Sequence, residues 1–263
     1  LENLGDRDGV LKAKTEIFQS MKPNGHIVLN GDDDKLITVR EYNGVKPVFF
    51  GLNSESDEYA DQIESKGLKG VACRIHLGED AFDVLVPTPG IHMVYNALAA
   101  AAVGRIYGLT IEEIRRGIES LETIRGRFKM IETDKFLVVD DCYNANPMSM
   151  KASLDVLHDG EGRRVAILGD MGELGEDEAA LHEGVGIHAA TCGIDACVCV
   201  GDLAVHIAEA ARKANPDFPV YYEKTRESLL EHLNDYVQKG DTILVKASHF
   251  MKFEEVVKAL EEM

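Results

Sequence analysis

From residue 136 to residue 262 the chain swings repeatedly between short apolar runs and segments with helical spacing, and no other feature restricts its fold as much. The runs are FLVVDD (136–141), RRVAILGD (163–170), DACVCVGD (195–202), PVYYEK (219–224) and DTILVKAS (241–248). They read as buried strands, bounded by Gly and Asp and rich in Val, Ile and Leu. Between them lie helical patterns at 147–158, 177–191, 203–214, 226–238 and 252–262, as in LAVHIAEAARKA, where apolar residues recur at helical spacing. Strands that are apolar on both sides need helices over both faces. The pattern therefore predicts an α/β, Rossmann-like unit with a doubly wound, mostly parallel sheet. Helix starts are also marked. Thr225 precedes RESLLEHL, and Thr110 opens TIEEIRRGI with Glu113 three residues on, a capping box.

The first half has a different texture. GHIVLNGDDD and KPVFFGLN read as strands, and 67–90 alternates and turns as a hairpin or small antiparallel patch does. An Ala-rich helix follows at 93–108, and a second helix at 110–121. A mixed sheet with helices is expected here, and ETIRGRF marks a boundary near Gly126, giving domains 1–125 and 126–263.

The charge balance narrows the partners. With 46 acidic against 28 basic residues and a net charge of −18, the balance argues against a broad phosphate-backbone footprint, and no nucleic acid is expected. No apolar run reaches membrane-spanning length. The opening LENLGDRDGV has neither the basic region nor the apolar core of a signal peptide. Five cysteines without framework spacing point to a reducing, cytoplasmic setting. Cys192, Cys197 and Cys199 lie close enough to raise a metal site, but ACVCVG alternates as a buried strand does, and Cys packs there as a small hydrophobe.

Three stretches are able to carry chemistry. GDMGELG (169–175) sits between a strand and a helix, yet it departs from G-x-G-x-x-G, and Glu173, Glu176, Asp177 and Glu178 crowd a helix start that a pyrophosphate would need. No G-x-x-x-x-G-K-[ST] phosphate loop occurs anywhere in the sequence. VVDDCYNANP (138–147) ends a strand in Asp140 and Asp141 and continues through Asn144 and Asn146. At the carboxyl edge of a parallel sheet such side chains hold a polar ligand; equally, they form an Asx-rich turn that caps the next helix, with Pro147 at its first position. PTPGIHMVYNALAAAA (87–102) presents His92 and Asn96 at a helix start. An Asn amide can pair with an adenine edge, or both residues can be plain helix-start polar groups.

DDCYNANPMSM, PGIHMVYNALAAAA, IRGRF, GDMGELG with LHEGVG, and LVKASHFMKFEEVV stand in an order that resembles the Mur ligases. Within that family the Y-N-A-N-P loop is most similar to the member that adds D-Ala-D-Ala to UDP-MurNAc-tripeptide. The resemblance implies an ATP-driven amide ligation in peptidoglycan synthesis, with ATP and Mg2+ as cofactors, those two substrates as partners, and a monomer. It implies that Lys14 is the carbamylated, magnesium-binding lysine and that Asn96 lies on the adenine side with His92 beside it. Arg127 would lie near the nucleotide phosphates and Asp141 at the ribose, with Asn144 and Asn146 lining the same loop. Lys246 and Ser248 would face the incoming dipeptide.

Departures accompany the resemblance. Cys142 stands where a serine is usual, and Ala247 and His249 replace a Gly and an Arg of the expected V-K-G-S-R pattern. The family's N-terminal domain and central phosphate loop are not represented. The chain is expected to be the C-terminal two-domain part of such a ligase, inactive by itself. Two other classes stay open: a non-catalytic nucleotide- or peptide-binding module of the same ancestry, and a nicotinamide-dependent oxidoreductase, against which the missing glycine fingerprint speaks.

Overall fold

The computed structural model describes residues 4–263, which divide into two compact units, 4–122 and Thr123–Met263. The first holds one five-stranded sheet in the order β1-β2-β3-β4-β5. Its strands are β1 (Val28–Asn30), β2 (Val48–Gly51), β3 (Glu58–Ser65), β4 (Val71–Leu77) and β5 (Asp80–Val86). β1, β2 and β3 run parallel, while β3–β4 and β4–β5 pair antiparallel; the β4–β5 hairpin is the one that the alternating pattern of 67–90 predicts. In β4 every second residue is buried, because one face packs on helices and the other faces away.

Helix α2 (Ile91–Ile106) covers the buried face with Val94, Ala97, Leu98 and Ala101, which pack among Ile75, Leu77, Val84 and Val86. The Ala run exists for this close approach. Helix α3 (Ile111–Glu119) adds Ile114 and Ile118 to the same core, and its capping box forms as read, with Thr110 accepting from the Glu113 N–H. The short helix α1 (Arg7–Thr15) was not anticipated. It buries no residue, so it leaves no apolar stripe in the sequence.

The second unit is a six-stranded sheet in the order β10-β9-β8-β11-β7-β6. Four of its strands are entirely or almost entirely buried: β7 (Leu137–Asp140), β8 (Arg164–Gly169), β9 (Ala196–Val200) and β11 (Thr242–Lys246). They pair parallel, with β10 (Val220–Glu223) parallel at one edge. β6 (Lys129–Glu132) is the exception, an antiparallel edge strand whose every second residue is exposed. The intervening helices are α4 (Pro147–His158), α5 (Glu178–Thr191), α6 (Ala204–Ala214), α7 (Arg226–Tyr236) and α8 (Glu254–Glu262), close to the expected spans. The strand order turns back between β8 and β11, the kind of place where ligands bind beyond the carboxyl ends of the strands in open parallel sheets.

Cys197 and Cys199 are fully buried on β9 with their sulfurs 3.6 Å apart, as the strand reading requires. Among the described residues no cluster of His, Cys, Asp or Glu is arranged to hold a metal. No helix there is long and apolar enough to cross a membrane.

Candidate active site

The residues singled out from the sequence divide between the two units. In the second they collect where β7 and β11 end. Asp140, the last residue of β7, is 2% exposed; its carboxylate accepts from the Gly126 N–H at 2.8 Å and from the Cys142 thiol at 3.0 Å. The residue standing in place of the usual serine thus keeps a hydrogen bond, a weaker one through sulfur. Burial, reinforced by Asp140, pushes the Cys142 thiol well above its ordinary range, so it stays protonated and donates.

Asp141 is a hub. Its Oδ1 accepts from the Phe128 N–H at 3.2 Å, and its Oδ2 accepts from the Ser153 hydroxyl at 2.8 Å and the Lys246 ammonium at 2.6 Å. One side chain thereby joins the 125–128 turn, helix α4 and strand β11. Lys246 does not point outward as a free cation: it is 2% exposed, and its ammonium also donates to the Asn144 carbonyl at 3.1 Å. Removing one member of such a pair strands a charge in a dry site, at a cost of about 3–5 kcal/mol.

The asparagines behave differently from one another. Asn146 caps α4, its Oδ1 accepting from the Ser149 N–H at 2.9 Å, with Pro147 in the first turn. That is the Asx-turn alternative, and it leaves the amide N–H2 of Asn146 for other partners. Asn144 is exposed and turns its Oδ1 to the Ala145 N–H at 2.8 Å.

Arg127 rises from a turn with unusual backbone on both sides, Gly126 at φ +77° and Phe128 at φ +53°. Phe128 is buried, and a left-handed non-glycine there is held by its N–H on Asp141. The guanidinium carbon lies 4.1 Å from the centre of the Tyr143 ring. Neighbouring Arg125 is spent on Glu261 through bonds of 2.9 and 3.2 Å.

Nearby, Ser248 is 5% exposed: its hydroxyl accepts from the Gly172 N–H at 2.9 Å, and its own N–H donates to the Asp170 carbonyl at 3.0 Å. Two residues the sequence did not single out shape this place. Asp170 fills the amino end of α6, accepting from the N–H groups of Asp202, Leu203 and Ala204 at 3.1, 3.0 and 2.7 Å. Gly201, at φ +127°, lets this happen, since a Cβ would come 2.3 Å from Asp170 Oδ1. Burial raises the Asp170 carboxyl above its ordinary range against the pull of those N–H groups. A helix terminus that would attract a pyrophosphate is thus occupied by the protein's own carboxylate, and α5 is set back from β8 by a 3-10 turn bearing Glu176 and Asp177.

His182 is the second. It is fully buried, its Nε2 accepting from the Met171 N–H at 2.9 Å while Nδ1–H donates to the Glu178 carbonyl at 2.7 Å. Burial holds its pKa below the ordinary value, and the neutral tautomer fixes the start of the 170–175 loop. The strand-to-helix glycines marked this loop in the sequence, and His182 stood within the quoted LHEGVG, but neither stretch gave residue 182 a role of its own.

In the first unit, Lys14 stands exposed in the last turn of α1. His92 and Asn96 both lie on α2, which begins at Ile91, two residues earlier than expected, so Asn96 falls in the second turn. Asn96 borders a cavity of about 450 Å3 between α2 and α3, with Met93, Ala97, Ala100, Gly104 and Ile114 among its walls. Its amide N–H2 has only the Met93 sulfur nearby, at 3.3 Å. An apolar recess with one exposed amide at its edge suits a flat, polar-edged ring. Beside Asn96, Tyr95 donates to Asp32 at 2.9 Å, and Asp32 accepts the Leu52 N–H at 2.6 Å, tying α2 to the loop after β1. Burial and then Asp32 push the Tyr95 phenol up to about 12.

Comparison with known proteins follows both units. The family model described as the Mur ligase middle domain matches residues 1–104, and that of the Mur ligase, glutamate ligase domain matches residues 126–249. A UDP-N-acetylmuramoyl-tripeptide–D-alanyl-D-alanine ligase of Bacillus subtilis is 34% identical over 265 residues, covering 100% of this chain and 57% of the relative. One from Escherichia coli is 35% identical over 266 residues, covering 100% of this chain and 58% of its own length. A crystal structure of MurF from Acinetobacter baumannii superposes with a TM-score of 0.86 at 30% identity, covering 99% of this chain and 56% of that one. MurF from Thermotoga maritima in complex with ADP gives 0.82 at 26% identity, covering 100% and 59%. The chain therefore spans a little over half the length of the proteins it resembles.

Proposed function

The chain belongs to the Mur ligase family, and from that premise we propose that it forms the nucleotide-handling and amine-accepting part of an ATP-dependent ligase joining D-Ala-D-Ala to UDP-MurNAc-tripeptide. The observation that carries this reading is the unbroken similarity of both units to relatives named for that reaction. In the reaction, the tripeptide carboxylate takes the γ-phosphoryl group of ATP to form an acyl phosphate and ADP. The dipeptide amine then attacks the carbonyl carbon, and phosphate leaves as the amide forms. Such a ligation depends on positioning and on neutralising phosphate charge more than on covalent help from side chains.

Within this reading the residues take the following roles. Asn96 and the neighbouring His92 meet the adenine at the α2–α3 recess, and Arg127 takes a nucleotide phosphate oxygen with its planar donor fork. A carboxylate has about four acceptor sites. Three donors already sit on Asp141, which leaves room for one ribose hydroxyl. Asn144 and the amide of Asn146 line the same loop. Lys246 and Ser248 border the dipeptide side, Lys246 holding the 140–146 loop there through Asp141 and the Asn144 carbonyl.

Magnesium suits these residues in a limited way. The described residues form no all-protein cation cage, and magnesium characteristically keeps waters and takes one or two protein oxygens beside substrate phosphates. Lys14, exposed on α1, would offer such an oxygen once carbamylated. The ion, held there, would supply charge neutralisation at the transferring phosphoryl group.

The test is phosphate release from ATP by the gene product that contains these residues, given UDP-MurNAc-tripeptide and magnesium, with and without D-Ala-D-Ala. Release that requires the dipeptide is expected. Release indifferent to it, or none from a folded protein, overturns the reading in favour of a binding module.

A further inference from the structure

We propose that Tyr143 is a positioning residue for Arg127: its ring holds the guanidinium in place, ready for a phosphate oxygen of the nucleotide. This rests on the reading above, in which Arg127 meets those phosphates.

Several independent features support the arrangement. In a chain of net charge −18, no carboxylate among the described residues pairs with Arg127, whereas its neighbour Arg125 is bound to Glu261. Its guanidinium lies instead over the Tyr143 ring, 4.1 Å from ring centre to Cζ. A cation on a ring face keeps its in-plane N–H donors turned outward, whereas a carboxylate partner would consume them. The surroundings leave the arginine oriented and its donors available for an anion.

The ring and the turn are built as one piece. The Tyr143 N–H donates to the Gly126 carbonyl at 2.9 Å, so the residue bearing the ring is bonded to the turn bearing the arginine. That turn lies so close to Tyr143 that a Cβ at Gly126 would come 3.1 Å from the Tyr143 Cβ. Asp140 and Asp141, adjacent in sequence, grip the turn on either side of Arg127 through the Gly126 and Phe128 N–H groups. His249 stacks on Tyr143 with centroids 5.5 Å apart and planes at 26°, which restrains the ring. The arginine side chain is otherwise long and exposed. The ring removes rotamer freedom that ATP binding would have to quench.

The experiment combines a spectroscopic and a kinetic readout on the gene product containing this chain. With isotope-labelled arginine, assigned through Arg127→Lys, the Arg127 side-chain protons should be displaced upfield by the ring. Tyr143→Phe should preserve that displacement and Tyr143→Leu abolish it. Pre-positioning acts on substrate and transition state alike, so it appears in KM. Tyr143→Leu should raise KM for ATP about two- to fivefold, the range a partly exposed cation–π contact supports, with kcat within about a factor of two. Tyr143→Phe should match the unsubstituted protein. An Arg127 resonance indifferent to Tyr143→Leu overturns the proposal, as does an unchanged KM once the ring shift is lost. Damage equal in Phe and Leu also overturns it, since the hydroxyl and not the ring would then matter. If the unsubstituted protein shows no dipeptide-dependent phosphate release, the ligase reading fails and the role at a phosphate falls with it. Failure confined to the Tyr143 variants, with ligation intact, counts against Tyr143 alone.

Discussion

Asp141 and Asn96 look alike in sequence, each a small polar residue beside an apolar run and each suited to hold part of a nucleotide. Their surroundings differ sharply. Asp141 carries three internal donors and links a turn, a helix and a strand, while Asn96 lies at the rim of a recess with nothing stronger than a sulfur beside its amide. A residue used this way by its own fold is costly to remove even with no ligand present. A residue left at a rim is nearly free to change until a ligand arrives. The loop at 140–146 is therefore a framework that grips the turn bearing Arg127, whereas Asn96 in the second turn of α2 is a rim residue that its own fold leaves available.

The largest effect should come from breaking the framework side. Lys246→Met strands Asp141 and should lower unfolding free energy by about 3–5 kcal/mol in denaturant titration. A loss under about 1 kcal/mol would mean that the pair is solvated and that the contrast drawn here is wrong. Next in size is a pH effect on the same unit. The folded pKa of His182 is depressed by burial, so its contribution is full above about 6.5, the ordinary value, and fades as pH falls through the folded pKa. Stability of the unsubstituted protein should fall below pH 6.5 with a slope from this group of at most about 1.4 kcal/mol per pH unit. His182→Gln should start less stable and lack that component; parallel pH profiles would refute the assignment of a buried neutral imidazole.

Smaller changes sharpen the contrast. Cys142→Ser replaces a weak thiol donor to Asp140 by a hydroxyl, and about 0.5–1 kcal/mol of added stability is expected in thermal unfolding. A destabilised serine variant would show that sulfur packing outweighs the hydrogen bond. At the rim, Asn96→Ala should leave unfolding free energy within about 0.5 kcal/mol while weakening nucleotide binding, measurable by calorimetry with ADP. A large stability loss there would erase the distinction between framework and rim.

How much of this was legible beforehand follows from burial. Strands β7, β8, β9 and β11 are buried on both faces, and their apolar runs announced them. The caps at Thr110 and Thr225 were readable because the capping chemistry is local, and each accepts from the N–H three residues on. β6 and α1 went unread: one is a four-residue edge strand with half its side chains exposed, the other a helix that buries nothing. The site shows the same divide. The loop 140–146 stood out by its residue types, and Asn146 as a helix cap was one of two readings on offer. That Lys246 turns inward to Asp141, 105 positions away in sequence, was not readable, nor was the left-handed backbone of Phe128.

What the sequence by itself determined is the alternation that dictates a doubly wound second unit, the mixed first sheet, and the places where polar side chains gather at strand ends. Those are consequences of short-range periodicity and residue chemistry, which the chain carries at every position. Only the tertiary structure decided which polar groups are spent and which remain available. Asp170 was drawn to the amino end of α6, Asp141 to Lys246 and Arg127 to Tyr143, each pairing distant or unpatterned residues. A buried polar group must find a partner wherever the fold brings one, so its role is settled by neighbours in space and not by neighbours in sequence.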